Sequence, residues 1–367
     1  MEQNQPKARV LAYYLPQFHP IPENDEWWGK GFTEWTNVGK AKPLFPGHYQ
    51  PHVPADLGYY DLRVPETREA QAQLAREYGV EGFVYWHYWF GNGKRLLERP
   101  FNEVLASGKP DFPFALAWAN ETWQGFWFGD DGSRNVLIEQ TYPGDEDYIA
   151  HFNTVLPAFK DKRYITCNGK PVFFIYRPKQ LPNVEHFIDL WQGLAKDNGL
   201  QGICFIAIAQ NFQKIDVAEK ELADILNKGF NSLNVINAYD WPITSIKYRI
   251  VRKVLFKKMK VIPDVRPYCY EQFACPIDNY DNVIPTILPN WDHTPRTGSR
   301  GIVLCGSTPE LFRECLHKKI ELIKDKPFDQ RFLMIKSWNE WAEGNYLEPD
   351  LKFGCRYLEA IKSEVYC

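Results

Sequence analysis

At 367 residues the chain is long for one ordinary domain, but β/α barrels typically run to about 250 residues and often past roughly 400 with insertions. With 44% hydrophobic and 24% charged residues it reads as soluble and globular, with a large core. Its 43 basic and 46 acidic side chains leave a net charge of −3, which excludes the electrostatic footprint of a general nucleic-acid binder.

In chain order, eight short apolar runs alternate with longer amphipathic stretches. The runs cover residues 10–18, 82–89, 114–120, 172–177, 203–210, 233–239, 283–291 and 333–338. Most are hydrophobic almost throughout, as parallel strands covered on both faces are. Helical periodicity is expected over 67–78, 145–159, 184–198, 215–228, 245–260, 309–324 and 350–365. In the fourth unit Val184, Phe187, Ile188, Trp191, Leu194 and Ala195 fall on one face, and Gly199 stands where a C-terminal cap belongs. Strict alternation predicts an α/β protein, a single (β/α)8 TIM barrel with long βα loops, spanning 1–367 with an N-terminal tail at 1–8. An open doubly wound sheet is the alternative, but no glycine-rich phosphate loop follows the first run.

Eight cysteines show no C-x-x-C pair and no zinc-ligand spacing with histidine, so a reducing compartment and no metal or other cofactor are expected. No apolar leader precedes the first run, which predicts a cytoplasmic protein, or a periplasmic one if a leader has been removed. The stretch from Ser245 to Lys260 is strongly basic with an apolar face. It reads as a barrel helix with a solvated basic side, or as a peripheral contact with an anionic membrane.

Aromatic residues make up 16% of the chain, many beside polar ones. Such clusters suit a sugar site, because pyranose faces stack on rings. In a β/α barrel the chemistry sits at the C-terminal ends of the strands. Here nearly every run ends in polar and aromatic residues. The expected substrate contacts are Tyr14, Gln17, Glu34 and Trp35 after the first run, Trp86 and His87 at the second, and Trp118, Asn120, Glu121 and Trp123 at the third. Tyr176, Tyr239, Asp240, Trp291, Asp292 and Arg296 follow from the fourth, sixth and seventh. Trp338, Asn339 and Trp341 follow from the eighth. Asp292 and Asp240 are read as hydrogen-bonding sugar hydroxyls or orienting Arg296, with loop capping as the alternative.

Glycoside chemistry needs two carboxyl groups around the scissile bond. Glu340 and Glu343, three residues apart past the last run, fall on one face if the segment forms a helical turn. Their mutual repulsion would then raise one pKa. A pair drawn from Glu121 and Glu340 is the rival.

The motifs A-Y-Y-L-P-Q-F-H-P from Ala12, G-F-T-E-W from Gly31, W-A-N-E from Trp118, N-W-D-H-T-P-R from Asn290 and W-N-E-W-A-E-G from Trp338 resemble those of WbsX-type proteins. The likeness runs from Arg9 to Lys362. It extends more distantly, mainly through the last motif, to glycoside hydrolase family 99. That resemblance implies a barrel acting inside chains of α-mannosides with retention, through a 1,2-anhydro sugar. Glu340 would activate the substrate 2-hydroxyl, and Glu343 would protonate the leaving group and then activate water. Trp291 matches the hydrolases' aromatic residue before the aspartate on the seventh strand, while Ala342 stands where their motif usually has histidine. WbsX-type proteins are commonly named glycosyltransferases of surface-polysaccharide gene clusters, yet no D-x-D motif or nucleotide loop is visible. The expected partner is therefore an oligosaccharide or polysaccharide. The readings are a retaining glycoside hydrolase or transglycosylase on an α-linked, mannose-like glycan, a glycosyltransferase of polysaccharide assembly, and a non-catalytic glycan-binding barrel.

Overall fold

Each of the eight apolar runs overlaps a parallel strand, and the strands close into a ring. In the computed structural model, residues 5–125, 135–237, 250, 254 and 263–366 are described. The strands are β1 (Arg9–Tyr14), β2 (Gly82–Trp89), β3 (Phe114–Trp118), β4 (Lys170–Ile175), β5 (Cys204–Gln210), β6 (Ser232–Ile236), β7 (Val283–Ile287) and β8 (Phe332–Ile335). Each pairs in parallel with the next. β8 returns to β1 through Arg9 opposite Phe332 and Ala12 opposite Ile335, which completes the (β/α)8 barrel.

Most strands end before the apolar runs do. After Tyr14, for example, the Leu15 N–H leaves the ladder to donate to the Asn339 side chain at 2.7 Å. Residues past those strand ends, such as Tyr176 and Trp291, therefore belong to the mouth rather than to the barrel wall.

Helices stand at Pro65–Glu77, Asp145–Phe159, Val184–Asp197, Ile215–Asn227 and Pro309–Ile323, each within a few residues of its expected place. The last helix, Arg356–Tyr366, starts later than the pattern suggests. Asp350 turns the chain there, its side chain accepting from the N–H groups of Lys352 and Phe353. The helix after β2, Arg99–Ser107, escaped the periodicity because it is only nine residues long. The expected helix from Ser245 to Lys260, and with it the membrane-contact reading, lies outside the described residues except Ile250 and Val254. Among the described residues no helix is long and apolar enough to cross a membrane.

The barrel interior is partly polar. Asn234 on β6 accepts from the Tyr13 hydroxyl at 2.7 Å and donates to Ile284 O and Thr286 Oγ1. All three of its groups are satisfied, as burial requires. Tyr13 stacks on Trp86 at 4.7 Å between ring centroids and carries it toward the mouth.

Candidate active site

The two carboxylates stand on a tight hairpin just past β8. Asn339–Glu340 pairs antiparallel with Asn345–Tyr346, and a 3-10 turn, Trp341–Glu343, joins them. The expected helical turn is thus present in its tighter form, in which residues three apart eclipse one another. Ser337 Oγ holds the approach by accepting from the N–H groups of Asn339 and Glu340 at 3.2 and 3.0 Å. Gly344 ends the turn at φ +55°, where a Cβ would stand 2.7 Å from Asp292 Cβ and 2.9 Å from its backbone nitrogen. Only glycine meets both demands.

Two cations converge on these acids. Lys336 Nζ donates to Glu340 Oε2 at 2.9 Å. One Arg296 nitrogen, Nη1, bonds Glu343 Oε1 and lies 4.0 Å from Glu340 Oε1, while Nη2 reaches Glu34 Oε2 at 3.1 Å. Burial pushes the Glu340 pKa above the ordinary carboxylate value and the charge of Glu343 pushes the same way, against Lys336 and Arg296. Burial works against both cations, but the facing carboxylates outweigh it and hold the pKa values of Lys336 and Arg296 above normal. Burial, with help from Arg296, drops His293 to about 4, so it is neutral at neutral pH.

A cavity of about 480 Å³ opens above this cluster. Trp86, Tyr88, Trp123, Tyr176 and Trp291 line it together with Glu340 and Glu343. Tyr176 meets Trp86 at 72° and 5.4 Å. Gln210 Nε2 donates to the Tyr176 hydroxyl, and Gln17 Nε2 to that of Tyr88. Glu121, the rival carboxylate, also faces the cavity, where Arg177 holds it at 3.0 Å. A second cleft of about 740 Å³ shares Gln17, Glu121, Trp123, Arg296 and Arg300 with the first and adds Glu34, so the two are lobes of one groove. Among the described residues no cluster of three or more His, Cys, Asp or Glu is placed to hold a metal ion.

The groove thus gathers Gln17, Glu34, Trp86, Glu121, Trp123, Tyr176, Trp291, Arg296, Glu340 and Glu343 from the expected set. The others stand elsewhere. Tyr14 faces outward from β1 and donates to Gln71 Oε1 at 2.7 Å. His87 faces outward from β2, its Nε2 2.8 Å from that of His151, and Trp118 donates behind the sheet to Trp89 O. Trp35 is turned to Tyr60 O. Asn120 braces the loop after β4, accepting from Arg177 N and donating to Arg177 O. Asp292 contacts neither Arg296 nor the cavity. Its Oδ2 accepts from Gln50 at 2.6 Å and sits 2.7 Å from His48 Nε2, and its Oδ1 accepts from Thr294 N and Oγ1. Burial alone would raise its pKa, but these hydrogen bonds outweigh burial and lower it. Asn339 stitches Leu15, and the indoles of Trp338 and Trp341 both donate to Glu348. Tyr239 and Asp240 lie outside the described residues.

Tyr88, Gln210, His293, Arg300 and Lys336 join the groove without having been in the expected set. The two-residue strand period was the available signal for Tyr88, since Trp86 and Tyr88 must share a face that His87 cannot. Lys336 sits four residues before Glu340 inside an apolar run, where a buried lysine asks for an acidic partner.

A β/α barrel with paired acids and an aromatic groove at its mouth defines the class. The chain belongs to the family described as Glycosyltransferase WbsX, whose pattern matches residues 10–361. This bears out the resemblance drawn from the motifs. Among curated relatives, the uncharacterized protein WxcX from two strains of Xanthomonas campestris pv. campestris is 37% identical over 360 residues. That covers 97% of this chain but 49% of the relative, so the chain spans about half the length of the curated relatives it matches. Among solved structures, a glycoside hydrolase-like protein superposes with TM-score 0.60 at 16% identity, covering all of this chain and 96% of the other. The GH99 endo-alpha-mannosidase from Bacteroides thetaiotaomicron, in complex with BIS-TRIS-propane, superposes with TM-score 0.57 at 14% identity, covering 97% and 96%. These likenesses show a shared barrel fold.

Proposed function

We propose that this chain is a carbohydrate-active enzyme, a retaining glycoside hydrolase or transglycosylase acting on an α-linked, mannose-like glycan. The observation that carries the reading is the seating of Glu340 and Glu343 together in a groove walled by indole and phenol rings. Rings bind sugar faces and the paired acids move protons. In this reading Glu340 is the base toward the sugar 2-hydroxyl. Burial makes it more basic while the Lys336 ammonium keeps its charge compensated, the balance a general base needs. Glu343 donates to the leaving oxygen and then takes a proton from the incoming acceptor. That role requires its bond to Arg296 to open, and Glu34 on the other edge of the guanidinium gives Arg296 a partner to stay with. Water as acceptor gives hydrolysis and a sugar hydroxyl gives transfer.

Replacing Glu343 by Gln is expected to abolish turnover of an α-linked manno-oligosaccharide while its binding, measured by calorimetry, survives. Normal turnover in that variant would refute the assignment. The family description favours a second reading, transfer from an activated donor. Arg300 supports it, lining both lobes with no ion pair among the described residues. Failure of nucleotide-linked and lipid-linked sugars to bind would remove it.

A further inference from the structure

Glu348 lies five residues beyond Glu343 and is buried, 2% exposed, outside both lobes of the groove. A buried carboxylate costs several kcal/mol unless it is compensated, roughly the expense of an unpaired ion in a protein interior. Here four hydrogen bonds supply the compensation. Oε1 accepts from Trp338 Nε1 at 2.8 Å and Gln71 Nε2 at 2.6 Å. Oε2 accepts from Trp341 Nε1 at 2.6 Å and the Tyr60 hydroxyl at 2.9 Å. Two of these donors bracket Glu340 in sequence, and Trp341 opens the turn that ends at Glu343. The other two fix the carboxylate to the loop after β1 and to the helix Pro65–Glu77. The Leu347 N–H closes the loop onto Trp338 O at 2.8 Å.

We propose that Glu348 is a positioning residue, whose ionised carboxylate sets the placement of Glu340 and Glu343 by holding the indoles on either side of Glu340. Each oxygen of the ionised group has two lone pairs and two donors, so the set is complete. A proton on either oxygen uses one lone pair and leaves one donor of the set without its acceptor; the Tyr60 hydroxyl can turn to accept from a protonated Oε2, but neither indole N–H can accept from either oxygen. Burial pushes the Glu348 pKa up to about 7, against the opposing pull of Trp341, Gln71, Tyr60 and Trp338. The other groups facing it are neutral: the phenol of Tyr60, and that of Tyr14 behind Gln71. Arg68, on the same helix as Gln71, is bound to Glu103 and to Leu62 O. The placement is therefore complete above about pH 7 and loosens below it. Stability runs the other way. Because the folded pKa is raised, ionisation weakens the fold progressively from the ordinary carboxylate range near pH 4.3 up to about 7.

The test uses the full chain and has two arms. Tryptophan emission is titrated over roughly pH 5 to 9, which brackets the shifted group. The unsubstituted protein should show a step near pH 7 that is absent in Glu348→Gln and reduced in Trp341→Phe. The second arm rests on the glycosidase reading and uses α-mannobiosyl fluoride as probe. Glu348→Gln should lower kcat on the order of tenfold or more, with KM changed less than about twofold, and Glu348→Asp should recover part of the loss. Absence of the emission step in the unsubstituted protein overturns the proposal, as does a Glu348→Gln variant with unchanged kcat and pH profile. If Glu348→Gln fails to fold, the comparison with Trp341→Phe decides. If no form turns over the fluoride, the glycosidase reading fails while the emission arm still judges Glu348.

Discussion

Lys336 is the cation bonded directly to Glu340, and it bears on that carboxyl's charge state. Its ammonium opposes burial and the charge of Glu343, which together raise the Glu340 pKa. In Lys336→Met that opposition is lost and the Glu340 pKa should climb further. A base must be ionised to act, so the acid limb of kcat/KM should move to higher pH by about one unit or more. A limb that stays in place would show that Glu340 is not the base. Neither Lys336 nor its partner is surprising once the fold is known, but a lysine inside an apolar run is ordinarily read as a strand-end solvent contact. His87 shows the opposite limit. Its neighbours Trp86 and Tyr88 both face the groove, yet the strand period turns His87 to His151. Proximity in sequence to a site is no guide to direction when the period is two.

At the level of the element, the hairpin after β8 depends on one backbone conformation. Gly344 at φ +55° and Gly354 at φ +54° share it, but only Gly344 lies against a neighbour, while Gly354 has open space. Gly354→Ala should cost only the left-handed strain, roughly 1 kcal/mol. Gly344→Ala adds a clash with Asp292 and should cost more, about 1–3 kcal/mol beyond that, with a fall in turnover as Glu343 shifts. Thermal denaturation of the pair checks this, and equal losses would contradict it. The paired acids, their spacing and their strand-end position were legible because they follow from local sequence. The anchoring role of Asp292 was not, because His48 and Gln50 come from a loop more than two hundred residues earlier in the chain.

On the scale of the whole molecule, the barrel separates stability from chemistry. At the end opposite the groove Arg9 ties β1 to Glu81 before β2, to Thr166 O before β4, and to Asp329 before β8. Removing it in Arg9→Ala should cost about 1–2 kcal/mol, chiefly from the unpaired Thr166 carbonyl and the lost packing over Phe332, since Glu81 and Asp329 remain reachable by water. Turnover at low temperature should be unchanged, and a specific loss of activity without loss of melting temperature would contradict that separation. Eight alternating units were enough to foresee the barrel, because parallel strands buried on both faces leave a strong pattern. The strand ends were overestimated because the mouth is itself built of apolar rings. Glu340 and Glu343 are proposed to act together on a sugar held in the groove. A crystal structure with a mannose-configured imino sugar tests this most directly. The ring nitrogen or anomeric position is expected beside both carboxylates, with Trp86, Tyr176 or Trp291 against the sugar. A ligand bound away from the two acids, or no binding in the groove at all, would contradict it.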